Sequence, residues 1–408
     1  MTAIVLTGGK LFDGVGPELR EGVEILVEGG RIKEVSDRPI TAAGAQVIKL
    51  GGRTLMPGLI DCHWHINAAD VNLSRLDGMP ETLRAQHSRI YLEQGLDRGF
   101  TSVRDTGGCD FGIARAVEEG LIKGPRVFFG GRAMSQTGGH GDLRLLQNYD
   151  IRTGAYQGAL GQVADGPHAL RAAIREEFRK GAHHIKIMGS GGVASPTDPL
   201  EHNQYSEDEI RAAVDECAMH GSYTAAHCHP DIAVERCTGL GVRSIEHATL
   251  ITPETAARVA ARGSYVVPTM VIIFTLHELG AQMGLPQVSQ DKLAKIKDSA
   301  LRSLEIMKRA GVKMCFGTDL LGGLHPQQSR EFLLRREVLP AIDILRSATS
   351  VAAELLMREG ELGVVKSGAV ADLIVVDGDP LKDMALFQDQ GRHIPLIMKE
   401  GRLHKNAL

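Results

Sequence analysis

The sequence lacks any apolar run near the roughly 20 residues that a membrane-spanning helix needs, so we expect no membrane-embedded segment. It also lacks a strong charge of either sign. The net charge of −4 gives no electrostatic reason to expect nucleic acid or an anionic membrane surface as a partner. Residues 1–14 are too polar and too interrupted by glycine to form a signal peptide. These absences favour a cytoplasmic protein.

Cysteine pairs with the spacing of a metal or disulfide motif are missing as well. The six cysteines include no CxxC pair, so in a chain of this length we expect free thiols packed in a core. The 43% hydrophobic and 24% charged residues are ordinary for a soluble globular enzyme. Against this background the sixteen histidines stand out, because neutral imidazole is the commonest side-chain metal ligand.

The chain divides into two kinds of sequence. Short β-rich segments occur at both ends, whereas the middle alternates apolar runs with helical patterns, which is typical of βαβ units and a parallel sheet. The eight runs are residues 59–65, 101–105, 127–130, 184–189, 223–229, 244–248, 265–269 and 313–319. We therefore predict an α/β protein, with a (β/α)8 TIM barrel over residues 56–359. Residues 1–55 and 360–408 are expected to form a small composite β-sandwich domain.

A doubly wound open sheet is the competing architecture, and periodicity alone does not exclude it. The positions of the candidate ligands favour the barrel. The clearest helix begins at Ser206, which forms an S-x-x-E capping box with Glu209 and is followed by an apolar face that Gly221 ends.

Residues with metal-binding side chains follow the predicted strands. His63 and His65 alternate along the first run, so both point the same way. Side chains of this kind also lie at or near the ends of the fourth, fifth, sixth and eighth runs: Lys186, His227, His247 and Asp319. Barrel enzymes place their catalytic groups at this face, so the set predicts a metal site.

Lys186 needs an explanation, because a cationic ammonium beside divalent metal ions is repelled. The residue could stay away from the metals, be neutral, or carry CO2 as a carbamate that bridges two metals. Spacing and composition do not choose among these alternatives.

Several motifs resemble those of the amidohydrolase superfamily. Within it they are most similar to prolidase-like and carboxypeptidase-like enzymes, which cleave Xaa-Pro dipeptides and N-acyl amino acids, and to ochratoxin-hydrolysing amidases. They are residues 56–65 (MPGLIDCHWH), 101–105 (TSVRD), 135–142 (SQTGGHGD), 185–193 (IKIMGSGGV), 245–247 (IEH), 316–322 (FGTDLLG) and 368–376 (GAVADLIVV). The resemblance implies two divalent metal ions, usually zinc, bridged by carboxylated Lys186. His63, His65 and Asp319 would hold one metal, and His227 and His247 the other.

The same resemblance implies amide or peptide hydrolysis by a metal-bridging hydroxide. Asp319 would be the general base and then the acid, and His140 would bond the scissile carbonyl or the oxyanion. Relatives often have a tyrosine where this chain has His229, which could hold the substrate carboxylate or compete as a ligand. His325 is a further candidate for substrate binding. Homo-oligomers are common among such enzymes.

Other functions remain open. Imidazolonepropionase-like opening of a cyclic amide uses similar chemistry. A non-catalytic assembly protein of the same fold would be expected to have lost ligands, yet this sequence keeps all six candidates. A single-metal deaminase is disfavoured by Lys186. We expect His168, His183, His184 and the outward-pointing Trp64 to have packing or turn roles.

Overall fold

The computed structural model describes residues 3–146, 148, 156–195 and 197–408. Its N-terminal region forms short strands. These are β1 (Ile4–Thr7), β2 (Lys10–Leu11), β3 (Arg20–Glu21), β4 (Glu24–Glu28), β5 (Arg31–Ser36), β6 (Gln46–Lys49) and β7 (Thr54–Pro57). Strands β5, β4, β1 and β6 make one four-stranded sheet in that order.

Parallel strands fill the middle of the chain. They are β8 (Leu59–Trp64), β9 (Phe100–Asp105), β10 (Arg126–Phe129), β11 (Ala133–Ser135), β12 (Gly161–Val163), β13 (Ile185–Met188), β14 (Thr224–Pro230), β15 (Ser244–Leu250), β16 (Tyr265–Val267) and β17 (Lys313–Met314). Each of the eight predicted runs overlaps one of these strands. The sequence pattern does not predict β11 and β12, which have three residues each.

Helices alternate with these strands, so the mixed α/β class is confirmed. They are α1 (Glu81–Asp97), α2 (Phe111–Glu118), α3 (Gly166–Arg179), α4 (Glu207–Met219), α5 (Asp231–Gly239), α6 (Pro253–Arg262), α7 (Met270–Leu279), α8 (Gln287–Ala310), α9 (Arg330–Arg336), α10 (Ala341–Ser347) and α11 (Ser350–Leu355). Helix α4 follows the predicted capping box, whose two reciprocal hydrogen bonds are both present. Among the described residues, no helix is both long and apolar enough to cross a membrane.

The parallel strands form two sheets, in the orders β10-β9-β8 and β12-β11-β13-β14-β15-β16-β17. Backbone hydrogen bonds join these sheets at two places. Cys62 N–H donates to Phe316 O at 2.8 Å, and His183 N–H donates to Phe129 O at 2.8 Å. Because the strands are parallel, their carboxyl ends meet at one edge, and the segments after them bring their side chains together there.

The C-terminal region adds β18 (Leu373–Val376), β19 (Leu396–Lys399) and β20 (Arg402–Asn406). These strands extend a six-stranded sheet of order β20-β19-β18-β7-β2-β3, in which β18 pairs antiparallel with β7. Apolar side chains of this sheet and of the four-stranded sheet form one buried cluster, for example Ile25 and Val27 with Val375 and Met398. Residues from both ends of the chain therefore share a core.

Candidate metal centre

The first group of candidate ligands lies where β8 and the segment after β17 end. The Nε2 atoms of His63 and His65 are 3.3 Å and 3.2 Å from Oδ1 of Asp319. The Asp319 backbone is left-handed, with φ of 57°, and its N–H donates to the His63 carbonyl at 2.8 Å. One possible ligand atom from each of these three residues lies within 4.8 Å of the others.

A second group consists of His227 and His229 at the end of β14 and His247 on β15. Their possible ligand atoms also lie within 4.8 Å of one another. The ring centroids of His227 and His229 are 4.8 Å apart, which agrees with the alternation expected for a strand. The structure thus brings His229 into the same group as the two predicted ligands.

The two groups face one cavity. The ring centroids of His63 and His247, one from each group, are 5.0 Å apart. All six predicted metal ligands line this cavity together with two of the three predicted substrate-binding residues. Its lining is His63, His65, Leu73, His140, Lys186, Met188, Val193, Ala194, His227, His229, His247, Ile272, Ile273, Leu276, Leu293, Ile296, Asp319 and Leu321.

Hydrogen bonds through Nδ1 orient three of these imidazoles and leave Nε2 as the possible metal ligand. Nδ1 of His63 is 2.7 Å from Glu246 Oε2, Nδ1 of His65 is 3.0 Å from the Gly107 carbonyl, and Nδ1 of His247 is 2.7 Å from Thr269 Oγ1. Metal-binding histidines typically use one ring nitrogen in this way. The donor set of this cavity therefore fits divalent metal ions that prefer nitrogen and oxygen ligands.

The protonation states suit the same role. Burial, followed by the positive fields of neighbouring groups, lowers the pKa values of His227 and His247 well below the usual value, so both rings are neutral. Burial alone would raise the pKa of the Asp319 carboxyl. The imidazoles of His63 and His65 more than offset this effect and hold that pKa well below its usual range. Asp319 is therefore a carboxylate.

Lys186 lies on β13 and is 2% exposed. Burial lowers the pKa of its ammonium, although the carboxylates of Glu246 and Asp319 oppose that shift. A lysine whose neutral form is favoured is a better nucleophile toward CO2 than an exposed lysine. The buried environment of Lys186 therefore favours carbamate formation more than an exposed position would.

A buried ion pair supports the first group, and the sequence interpretation did not assign it a role. Arg104 on β9 donates to Glu246 on β15 at 2.8 Å and 2.9 Å, and both side chains are fully buried. Burial would raise the pKa of Glu246, but Arg104 and then His63 hold it well below the usual range. The resulting carboxylate holds the His63 ring. Both residues occur in the recognised motifs, and that is the signal that could have identified them.

His140 lies in the segment after β11. Its Nδ1 is 2.8 Å from Ser195 Oγ, and its ring centroid is 4.1 Å from that of His227. Burial, and then the charges of Lys292 and Lys186, lower the pKa of His140 to about 3. The ring is neutral and lies at the cavity, as the expected role in contacting the scissile group requires.

His325, the third predicted substrate-binding residue, lies outside the lining of this cavity. It is fully buried, and its Nδ1 accepts a hydrogen bond from Trp64 Nε1–H at 2.5 Å, while its ring lies 4.2 Å from that of Tyr91. The described residues that line the cavity do not include His325. The sequence GGLHPQ resembles an open loop, whereas the indole N–H and the Tyr91 ring draw the imidazole into the protein.

The predicted packing residues behave as expected. Trp64 is buried in an apolar cluster with Tyr91 and Leu92. His184 is fully buried and stacks on Tyr223, with ring centroids 5.5 Å apart. His183 packs against the ring of Phe129.

The sequence pattern of the amidohydrolase family matches residues 54–403. The chain belongs to this family and is a hydrolase that acts on C–N bonds. It is 49% identical to a solved amidohydrolase, with all of both chains covered and a TM-score of 0.97. A prolidase solved with N-methylphosphonate-L-proline is 46% identical over 99% of this chain and 100% of that one, with a TM-score of 0.96. The ochratoxinase of Aspergillus niger is 31% identical over 98% of this chain and 86% of its own length.

These similarities confirm the resemblance to prolidase-like and ochratoxin-hydrolysing amidohydrolases. Enzymes of this family generally use divalent metal ions, which agrees with the histidine-rich candidate site in the cavity.

Proposed function

We propose that this protein hydrolyses the amide or peptide bond of a small substrate, such as an Xaa-Pro or Xaa-hydrophobic dipeptide, an N-acyl amino acid or an ochratoxin-like amide. The observation that carries the proposal is the meeting of two groups of metal-binding side chains at one cavity that also contains Lys186. The backbone bonds that join the two parallel sheets support a closed (β/α)8 barrel. The core shared by both chain ends supports a composite β domain beside it.

Two divalent ions, zinc by preference, fit these residues. His63, His65 and Asp319 would hold one ion, His227 and His247 the other, and carboxylated Lys186 would contact both. When bound, such ions lower the pKa of a shared water and polarise a carbonyl group. Neutral imidazoles and a deprotonated aspartate are the forms that bind metal, and the environment of the cavity favours these forms.

The protein's own groups supply proton transfer and orientation. The Asp319 carboxylate accepts a proton from the attacking water and later donates it to the leaving nitrogen. Nδ1 of His140 is engaged by Ser195, so Nε2 is the ring atom available to the substrate. We assign it to the oxygen of the scissile carbonyl, where a hydrogen bond contributes most as negative charge develops.

The rest of the cavity favours an apolar group on the substrate. Helices α7 and α8 contribute aliphatic side chains to the lining, which we call the apolar wall, and neighbouring segments extend it. These residues are Leu73, Val193, Ile272, Ile273, Leu276, Leu293, Ile296 and Leu321. An apolar ring or side chain would be desolvated there, at about 25 cal/mol per Å² of buried apolar surface. The proline ring of the ligand in the similar prolidase is consistent with that preference.

A metal-loaded activity screen tests the proposal. Purified protein with quantified metal content would be given Xaa-Pro and Xaa-hydrophobic dipeptides, Xaa-Asp dipeptides as matched polar controls, N-acyl amino acids and cyclic amides. We expect two metals per chain and release of a C-terminal amino acid from apolar substrates. Ring opening alone would replace this proposal with an imidazolonepropionase-like function. Protein that stays inactive after zinc and bicarbonate are supplied would refute it.

His229 provides a test of the substrate side of the site. Its Nδ1 lies 3.0 Å from Thr249 Oγ1, and we assign its other nitrogen to the substrate carboxylate. His229→Gln should raise KM about tenfold, the equivalent of roughly 1.4 kcal/mol, and leave the metal content at two per chain. Loss of one metal from this variant would instead make His229 a ligand.

A further inference from the structure

A buried lysine lies just behind the apolar wall. Lys292 is on α8, and its side chain is 10% exposed. Its ammonium donates to the carbonyl oxygens of Gly192 at 3.0 Å, Ser195 at 2.9 Å and Asp198 at 2.5 Å. An ammonium has three N–H donors, so all of them are used. Burying a charge is costly unless it is bonded in this way, which indicates that this lysine fixes the segment it binds.

That segment follows β13 and holds His140 at two points. Ser195 Oγ contacts Nδ1 of the ring at 2.8 Å. The His140 backbone N–H donates to Gln204 Oε1 at 2.8 Å, while Gln204 Nε2 donates to Asp198 Oδ2 at 3.0 Å. Lys292 therefore bonds one support of His140 directly, at the Ser195 carbonyl, and reaches the other, Gln204, through Asp198.

The neighbours of Lys292 on the same helix face the cavity. Leu293 and Ile296 are part of the apolar wall. The ammonium consequently ties the wall to the segment that supports His140, and a shift of either part would change the space between His140 and the substrate. Oδ1 of Asp198 lies 3.8 Å from the ammonium, so its negative charge stabilises the positive charge of Lys292.

We propose that Lys292 is a positioning residue of the reaction, which acts through Ser195 and Asp198 to hold the His140 ring against the substrate. The proposal rests on the proposed amide hydrolysis and adds a residue outside the cavity lining to it. It requires that removal of the ammonium disturbs His140 more than it disturbs the rest of the fold.

The first test does not depend on activity. Histidine-labelled protein would be compared by 15N NMR as wild type, Lys292→Met, Ser195→Ala and Lys295→Met. Lys295 is the matched control, because it lies about one turn along α8, is 61% exposed and, among the described residues, forms its ion pair with Glu201 at the surface. We expect the His140 ring signals to shift in Lys292→Met and Ser195→Ala and to stay in place in Lys295→Met. Unshifted His140 signals in Lys292→Met would overturn the proposal. Ser195→Ala shows the shift that follows when a direct contact of the ring is lost. If Lys292→Met fails to fold, Lys292→Gln, whose amide keeps two N–H donors but no charge, replaces it in the comparison.

The second test is a double-mutant cycle with His140→Ala on a substrate that the wild type hydrolyses. Small misplacements of catalytic groups cost up to about a hundredfold in rate. We expect Lys292→Met to lower kcat about tenfold to a hundredfold with KM within about twofold, and to have no further effect in the His140→Ala background. Losses that simply add would show a general structural role and refute the proposal. If the wild type hydrolyses no amide, the proposed function fails, and the NMR comparison still decides the role of Lys292.

Discussion

Removal of the buried Arg104 guanidinium should reveal what the Arg104–Glu246 pair contributes. In Arg104→Met, Glu246 would keep the contacts of its carboxylate with His63 Nδ1 at 2.7 Å and Ser244 Oγ at 2.6 Å, but it would lose the charge that offsets its burial. Breaking a buried pair typically costs 3–5 kcal/mol. Because two contacts remain, we expect about 3 kcal/mol lower free energy of unfolding, measured by urea denaturation of the metal-free protein.

The double variant Arg104→Met/Glu246→Met separates stability from metal binding. It removes both charges, so it should regain much of the stability that the single variant loses. It also takes the carboxylate away from His63, and loss of a hydrogen-bond partner of this kind lowers metal affinity about 10- to 100-fold. Competition with a chromophoric chelator measures the affinity.

Arg335→Met is the matched control. Arg335 and Glu331 form a fully buried ion pair of 2.6 Å, and neither residue lines the cavity. We expect a comparable loss of stability and wild-type metal affinity. If Arg104→Met/Glu246→Met binds metal as tightly as Arg335→Met does, Glu246 does not orient His63 for metal binding.

Three further outcomes are expected. Lys186→Ala and Asp319→Asn should abolish turnover while the far-UV circular dichroism spectrum stays that of the wild type; full activity in either variant would remove the assigned roles. Chelation should destabilise the wild type by about 2.7 kcal/mol for each bound ion, relative to protein in free metal at 100 times Kd. Equal midpoints in thermal scans with and without the chelator would contradict this. Burial holds the pKa of His184 well below its usual value. Below about pH 6.5 the unfolded chain therefore binds a proton that the folded chain does not, and the free energy of unfolding decreases as the pH is lowered. His184→Leu should lessen that slope by about 1.4 kcal/mol per pH unit in metal-free protein; an unchanged slope would mean that His184 does not contribute.

Much of the candidate centre could be predicted because the governing rules are local. Alternation along β8 places His63 and His65 on one side, and parallel strands bring their carboxyl ends to one edge. A residue at the end of each strand is then expected near the others, however distant in sequence. Lys186 lies within β13 and Asp319 lies beyond the end of β17, yet both line the same cavity.

The supporting residues do not follow from such a rule. Arg104 and Glu246 are 142 positions apart, and their pairing depends on which side chains point into the interior below the ligands. The burial of His325 has a related cause. Its local sequence indicates a loop, and only the distant partner Trp64, 261 positions away, explains its burial. Contacts that depend on packing across several strands are not encoded in any short segment.

Backbone strain links the fold to the chemistry of the site. His247, Thr269 and Asp319 have φ values of 74°, 51° and 57°, in a region that costs non-glycine residues about 1–3 kcal/mol each. The surrounding structure holds these conformations, as the Asp319 N–H bond to the His63 carbonyl shows. Asparagine tolerates this region better than most side chains, so Asp319→Asn changes the charge with little change in backbone preference. Asp319→Ala changes both, and a larger loss of stability in Asp319→Ala than in Asp319→Asn would measure the part of the site's cost that belongs to the backbone.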